Sequence, residues 1–278
     1  MFIDSHQHFW RLAQRTGQWP PAELAAIHRD FMPADLRPEL QRCAIAGTVL
    51  VQSLPSVDDT AWLLHLAAKQ EFVLGVVGWV DLKAADAAAQ IEALARHRKL
   101  KALRPMLQDL DDDHWIDDRA LDPAVLAMLA HRLCFDALVK PRHLAALLAF
   151  AQRHPALPIV VDHAAKPEIA RAEWQPWHRH ITALAALPNV HCKLSGLLTE
   201  AGNNRDDAAL RPWVDHLFAS FGARRLMWGS DWPVLNLAGD YTLWFEMAQR
   251  LCSAQPDVDA HALDAIFGGN ARRFYNLD

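Results

Sequence analysis

Phe2-Ile3-Asp4-Ser5-His6-Gln7-His8 is a short apolar run that ends in two histidines two positions apart. Side chains alternate faces along an extended strand, so His6 and His8 share a side, with Asp4 beneath them. Two imidazoles converging at a strand end grip one cation, or orient one water and one carbonyl. Such a strand reads as the first strand of an enzyme barrel. The later strands must then supply the rest of the site.

Seven further extended runs follow: Gly47–Gln52, Val73–Val80, Leu100–Arg104, Phe135–Lys140, Pro158–His163, Asn189–Ser195 and Arg225–Asp231. Between them lie Ala/Leu-rich stretches with helical spacing, including Ala84–His97, Pro123–Arg132, His143–Arg153 and Pro176–Leu187. Ile159-Val160-Val161 is continuously apolar, as in a parallel strand covered on both faces. Eight βα units in 278 residues predict an α/β fold, a (β/α)8 TIM-type barrel forming a single domain over residues 1–278. An open doubly wound sheet competes, but no Gly-x-Gly-x-x-Gly follows the first strand. Trp10–Arg37, carrying Trp19-Pro20-Pro21, reads as an elaborated loop and helix at the barrel mouth. Ala260–Tyr275 reads as a closing helix interrupted at Gly268-Gly269.

The composition excludes several classes. A hydrophobic content of 52% supports a large core. The formal charge of -5 leaves no basic surplus for a nucleic-acid partner. No apolar stretch reaches membrane-spanning length, and no basic-then-apolar leader opens the chain. Cys43, Cys134, Cys192 and Cys252 are scattered without a Cys-x-x-Cys, which argues against disulfides and zinc-thiolate knots and for a cytoplasmic location. No feature speaks to an oligomeric state. Most of the 15 histidines flank Arg- or Ala-rich helical segments and read as surface residues.

The barrel reading predicts chemistry at the C-terminal strand ends. Strand one delivers His6 and His8, and strand four ends in Arg104-Pro105. Strand five ends in Lys140-Pro141 and strand six in Asp162-His163. Strand seven carries Lys193, and strand eight ends in Ser230-Asp231-Trp232-Pro233. Each residue has a structural explanation as well: Asp231 as a helix cap, Lys193 snorkelling from an apolar wall, Arg104 paired with one of the carboxylates in Asp109–Asp113. Together, His-x-His on one strand, a histidine on another and an aspartate on a third describe one rim site. Trp79 and Trp232 follow strand ends, where they either wall a small pocket or pack the rim.

These motifs resemble the amidohydrolase superfamily, in its amidohydrolase-2 branch, and within it a sugar-lactonase group that includes L-fucono- and L-rhamnonolactonases. The likeness rests on Ile3–Trp10, Thr48–Gln52, Gly75–Leu82, Leu103–Asp109, Val161–Pro167, Cys192–Leu197, Trp228–Val234 and Asn270–Tyr275. It departs at Val139-Lys140-Pro141, where the group commonly has Val-Arg-Pro; Lys and Arg differ in reach and bidentate geometry.

The resemblance implies a cytoplasmic enzyme of sugar catabolism that opens a 1,4- or 1,5-sugar lactone to the aldonic acid. Asp231 would activate water, with His163 and Arg104 also catalytic. Lys140, Trp79, Trp232, Gln52 and Lys193 would contact the substrate. His6, His8, His163 and Asp231 would hold one divalent metal, zinc first, or would bind water and carbonyl without metal. A binuclear site on a carboxylated Lys140 is not expected. Two other readings stay open at this point: a decarboxylase of the same branch using Arg104 and Lys140 on a substrate carboxylate, and a non-catalytic binding barrel.

Overall fold

A computed structural model describes residues 1–278. The eight strands are β1 (Phe2–Gln7), β2 (Ile45–Val51), β3 (Val73–Gly78), β4 (Leu100–Leu103), β5 (Cys134–Ala137), β6 (Ile159–Val161), β7 (Val190–Leu194) and β8 (Leu226–Trp228). They pair in parallel in chain order, β1 to β8. The rim beyond β8 closes the ring: Asp231 N–H donates to the His6 carbonyl at 2.8 Å, and His8 N–H to the Trp232 carbonyl at 2.8 Å. This consecutive order excludes the doubly wound sheet.

The helices around the barrel are α1 (Pro33–Arg42), α2 (Val57–Ala68), α3 (Ala87–Ala95), α4 (Asp122–Ala130), α5 (Leu144–Arg153) and α6 (Trp177–Ala185). A short α7 (Leu197–Glu200) precedes α8 (Asp207–Phe221) and α9 (Tyr241–Ser253). Capping chemistry sets several starts. Ser56, Asp206 and Asp240 each accept a backbone N–H of the first turn of α2, α8 and α9, satisfying donors that have no partner within the helix. The main apolar core fills the layer between strands and helices. A smaller cluster inside the barrel, including Ile3, Val49, Val77, Val160 and Met227, is covered by Phe274, Tyr275 and Leu277 at the end of the chain.

That covering segment has the expected interruption. α10 (Ala260–Asp264) and α11 (Asn270–Phe274) are joined by a π-helical turn, Ala265–Gly269. A Cβ on Gly268 would lie 2.2 Å from the Met1 carbonyl oxygen, so only glycine lets the closing segment approach the start of β1.

Several strands stop earlier than their apolar runs suggest, β5, β6 and β8 among them. The chain leaves β6 into a left-handed run, His163 to Lys166, with φ between 50° and 63°. It leaves β8 toward Asp231, which has φ 59°. Beyond β5, Leu138 and Val139 stay buried but unpaired in the sheet. Asp4 departs from simple alternation. A register shift between Asp4 and Gln7 takes it off the face of the histidines. Its carboxylate instead accepts hydrogen bonds from Ser230 N–H and Oγ and from Tyr241 of α9.

Candidate active site

The strand ends bring His6, His8, His163 and Asp231 together at the C-terminal rim, all 5% exposed or less. The Nε2 atoms of His8, His6 and His163 lie 3.3, 3.6 and 3.8 Å from a single oxygen, Asp231 Oδ1. His8 Nδ1 is 2.7 Å from the Val51 carbonyl, which can only accept, so that nitrogen carries the proton. The lone pair of His8 Nε2 therefore faces a carboxylate oxygen. Two acceptors at that distance call for a proton donor or a cation between them.

Protonation follows from burial. Burial pushes His163 down to about 4 and lowers His6 and His8 as well; Lys193 adds to the shift at His6. Burial alone would raise Asp231, but the imidazoles around it outweigh that and hold it below the ordinary carboxylate range. At neutral pH the imidazoles are uncharged and Asp231 is ionised.

A buried charge network supports this cluster from below. Lys193 Nζ, fully buried, lies 2.6 Å from Asp136 Oδ2, 2.9 Å from Asp162 Oδ1 and 3.1 Å from His6 Nδ1. Tyr275 of the closing segment donates to Asp136 at 2.7 Å. Arg104 pairs with Asp162 at 3.2 Å and also donates to the Gln52 carbonyl. Three carboxylates (Asp136, Asp162, Asp231) against two cations (Lys193, Arg104) leave one negative charge uncompensated, at Asp231. That charge and the convergent imidazole nitrogens fit a divalent cation: His6, His163 and Asp231 each offer a ligand atom within 4.8 Å of the others.

His163 is held from two sides. Ser195 Oγ lies 2.9 Å from its Nδ1, and Gly196, at φ 67°, backs onto its ring. A Cβ on Gly196 would sit 2.8 Å from the His163 ring. Four consecutive non-glycine residues in left-handed conformation cost about 1–3 kcal/mol each. The strain is offset in part by Trp177, whose indole donates to the Ala164 carbonyl at 2.6 Å. We predict that Gly196→Ala lowers kcat/KM at least tenfold by displacing His163. Steady-state kinetics on the folded variant would check this, and wild-type rates would refute it.

Above the cluster opens a cavity of about 490 Å³, the size of small-molecule sites. His8, His163, Asp231 and Arg104 form part of its wall, joined by Trp19, Gln18, Ser53, Leu54, Gln108 and Lys166. Several expected substrate contacts lie elsewhere. Lys193 neither faces the cavity nor snorkels; two carboxylates hold it under the histidines. Gln52 is fully buried and donates to the Arg104 carbonyl at 2.8 Å, so it positions Arg104. Trp232 packs edge-on against Phe9 and Phe31. Trp79, just past β3, donates its backbone N–H to Thr60 Oγ1 of α2, and the residue lies outside the cavity wall. Lys140 begins a 3-10 turn, Pro141–His143, and also lies outside. The tryptophan at the mouth is Trp19, from the loop marked by Trp19-Pro20-Pro21. The second cavity cation is Lys166, three residues after His163.

Imidazoles and one carboxylate converging at a barrel rim can hold and activate a water beside an electrophilic carbon, the chemistry of an enzyme site. The chain belongs to the amidohydrolase family, whose model matches residues 3–277. It is 56% identical to an L-fucono-1,5-lactonase of Burkholderia ambifaria, over 99% of this chain and 96% of the relative. It is 37% identical to an L-fucono-1,5-lactonase of Burkholderia multivorans, again over 99% and 96%. A crystal structure of an amidohydrolase from Burkholderia multivorans with bound zinc superposes with a TM-score of 0.92 at 37% identity, covering all of both chains.

Proposed function

We propose that this chain is a lactonase that hydrolyses an L-fucono-1,5-type sugar lactone to the aldonic acid, with Asp231 as general base. The observation that carries the reading is the convergence of three imidazole nitrogens on Asp231 Oδ1 at the floor of a cavity of small-sugar size. The curated relatives, both L-fucono-1,5-lactonases, support the substrate class and the 1,5-ring. The Arg104–Lys140 pair on which decarboxylation rested is not assembled, because Lys140 lies outside the cavity.

His6, His163 and Asp231 would hold one divalent cation, zinc by analogy with the zinc-bound relative, with His8 beside Asp231 at 3.3 Å. When bound, it would supply Lewis acidity and a lower water pKa. The chain's own groups do the rest. Asp231 Oδ1 accepts a proton from the attacking water, while His8, fixed as the Nδ1–H tautomer, presents its Nε2 lone pair beside it. Arg104 borders the cavity, so its guanidinium can face the lactone carbonyl oxygen as charge grows there. The proton held by Asp231 then passes to the ring oxygen as the C–O bond breaks. Trp19 and Leu54 wall the cavity against bulk water.

No helix is long and apolar enough to cross a membrane, and all four cysteines are free. Both support the cytoplasmic location we propose.

The test is a pH-stat assay on freshly prepared L-fucono-1,5-lactone, with the 1,4-ring and D-sugar lactones for comparison and spontaneous hydrolysis subtracted. Because His163 is pushed down to about 4 and Asp231 lies lower still, both stay in their working forms above about pH 5. We predict a flat kcat/KM from about pH 5 to 8 and a fall below. Absence of turnover on every lactone would sink the function, and in the metal-stripped enzyme an acid limb near 6.5, the ordinary histidine value, would sink the assignment.

A further inference from the structure

We propose that Lys166 is the anion-binding residue of the cavity: it takes the carboxylate that ring opening creates, and Glu200 recaptures it when the product leaves. This rests on the lactonase reading. Hydrolysis forms a bond from the water oxygen to the carbonyl carbon and breaks the bond from that carbon to the ring oxygen. The ring oxygen gains one proton, and the new acid group releases the other. A neutral substrate therefore becomes an anion beside Asp231, where Arg104 and a bound divalent cation would face it, and its departure calls for a further cation nearer the mouth.

The cavity wall holds two permanent cations, Arg104 and Lys166. Arg104 has a charge partner already, Asp162 at 3.2 Å, and both are buried. It offers the substrate a hydrogen bond but no spare charge. Lys166 differs in every respect. Its side chain is about one quarter exposed, and its nearest carboxylate is Glu200 Oε1 at 3.7 Å, beyond hydrogen-bond distance. The left-handed turn that carries His163 also carries Lys166, so the lysine is placed on the histidine's side of the cavity. An ammonium on a four-carbon stem, loosely matched and at the mouth, can move between two carboxylates. Glu200, on α7, is well placed as the resting partner.

The experiment compares lactone turnover with inhibition by the aldonate product in wild type, Lys166→Met, Lys166→Arg and Glu200→Gln. Lys166→Met should raise the aldonate inhibition constant roughly tenfold or more while kcat/KM for the lactone changes only a few-fold, since a charge-assisted contact is lost from the anion alone. Lys166→Arg should restore inhibition. Glu200→Gln should move the other way and tighten aldonate binding, because the competing carboxylate is gone. Inhibition of the wild type should weaken with added salt, and that dependence should flatten in Lys166→Met. Unchanged inhibition in Lys166→Met, or a loss of lactone kcat/KM in the same proportion as aldonate affinity, would overturn the proposal. A wild type that turns over no lactone would instead overturn the lactonase reading.

Discussion

Replacing Asp231 with Asn is expected to lower kcat/KM for the lactone by about a thousandfold or more while leaving the fold intact. A positioned general base contributes about 10²–10⁴, and an amide cannot accept the proton that leaves the water. The substitution keeps size and shape. It also places an N–H donor where His8 Nε2, 3.3 Å from Asp231 Oδ1, presents a lone pair. The variant removes a buried negative charge that Lys193 and Arg104 do not match, so its thermal midpoint should equal or exceed that of the wild type. The two readouts together separate a chemical role from a structural one. Retention of more than about a tenth of wild-type kcat/KM would show that another group takes the proton. A large fall in midpoint would show that Asp231 organises the site more than it reacts.

Much of this site was legible before any coordinates. Ligand-type residues ending apolar strands gave the barrel, its rim and the set His6, His8, His163 and Asp231, because a strand end in a parallel barrel has a fixed destination. What could not be read was which way residues beyond a strand end turn. Trp79 and Trp232 follow β3 and β8 just as His8 follows β1, yet they join the wall packing outside the cavity, since loop dihedrals rather than pleat alternation direct them. His163 and Asp231 reach the centre through left-handed backbone that no periodicity announces. Asp4 shows the same limit inside a strand, where one register shift cancels the period of two. Lys193 illustrates a different gap. A lysine in an apolar strand suggests a charged head seeking water, and only the fold shows Asp136 of β5 and Asp162, just past β6, meeting it inside the barrel. Lys166 stood within a recognised run but had no role until the cavity wall included it.

Removal of that buried lysine should give a large loss of stability. Lys193→Met deletes the cation shared by Asp136 and Asp162, all three side chains being fully buried. Breaking a buried ion pair by removing one partner costs about 3–5 kcal/mol, because the remaining charge has neither water nor a counter-ion. Here two carboxylates are left, one still held by Tyr275 and the other by Arg104. At roughly 2–4 °C per kcal/mol for a chain of about this size, the midpoint should fall by about 10 °C at pH 7. The deficit should shrink as pH drops. Burial already raises Asp136 to about 6 against Lys193, and without the lysine its pKa moves higher. A carboxyl raised in the folded state gains stability on protonation, so lowering pH from 7 toward 5 favours the folded variant. Adding Asp136→Asn should recover part of the loss at pH 7, since the neutral amide no longer faces Asp162 without a cation. A midpoint within about 2 °C of wild type, or a double variant no more stable than the single one, would mean that Lys193 does not hold these carboxylates together. The same lysine touches His6 Nδ1, so the single variant should also lose activity, and the double variant should regain stability without regaining activity. That divergence would show the network serving two ends through one ammonium: charge balance below, and the orientation of His6 above.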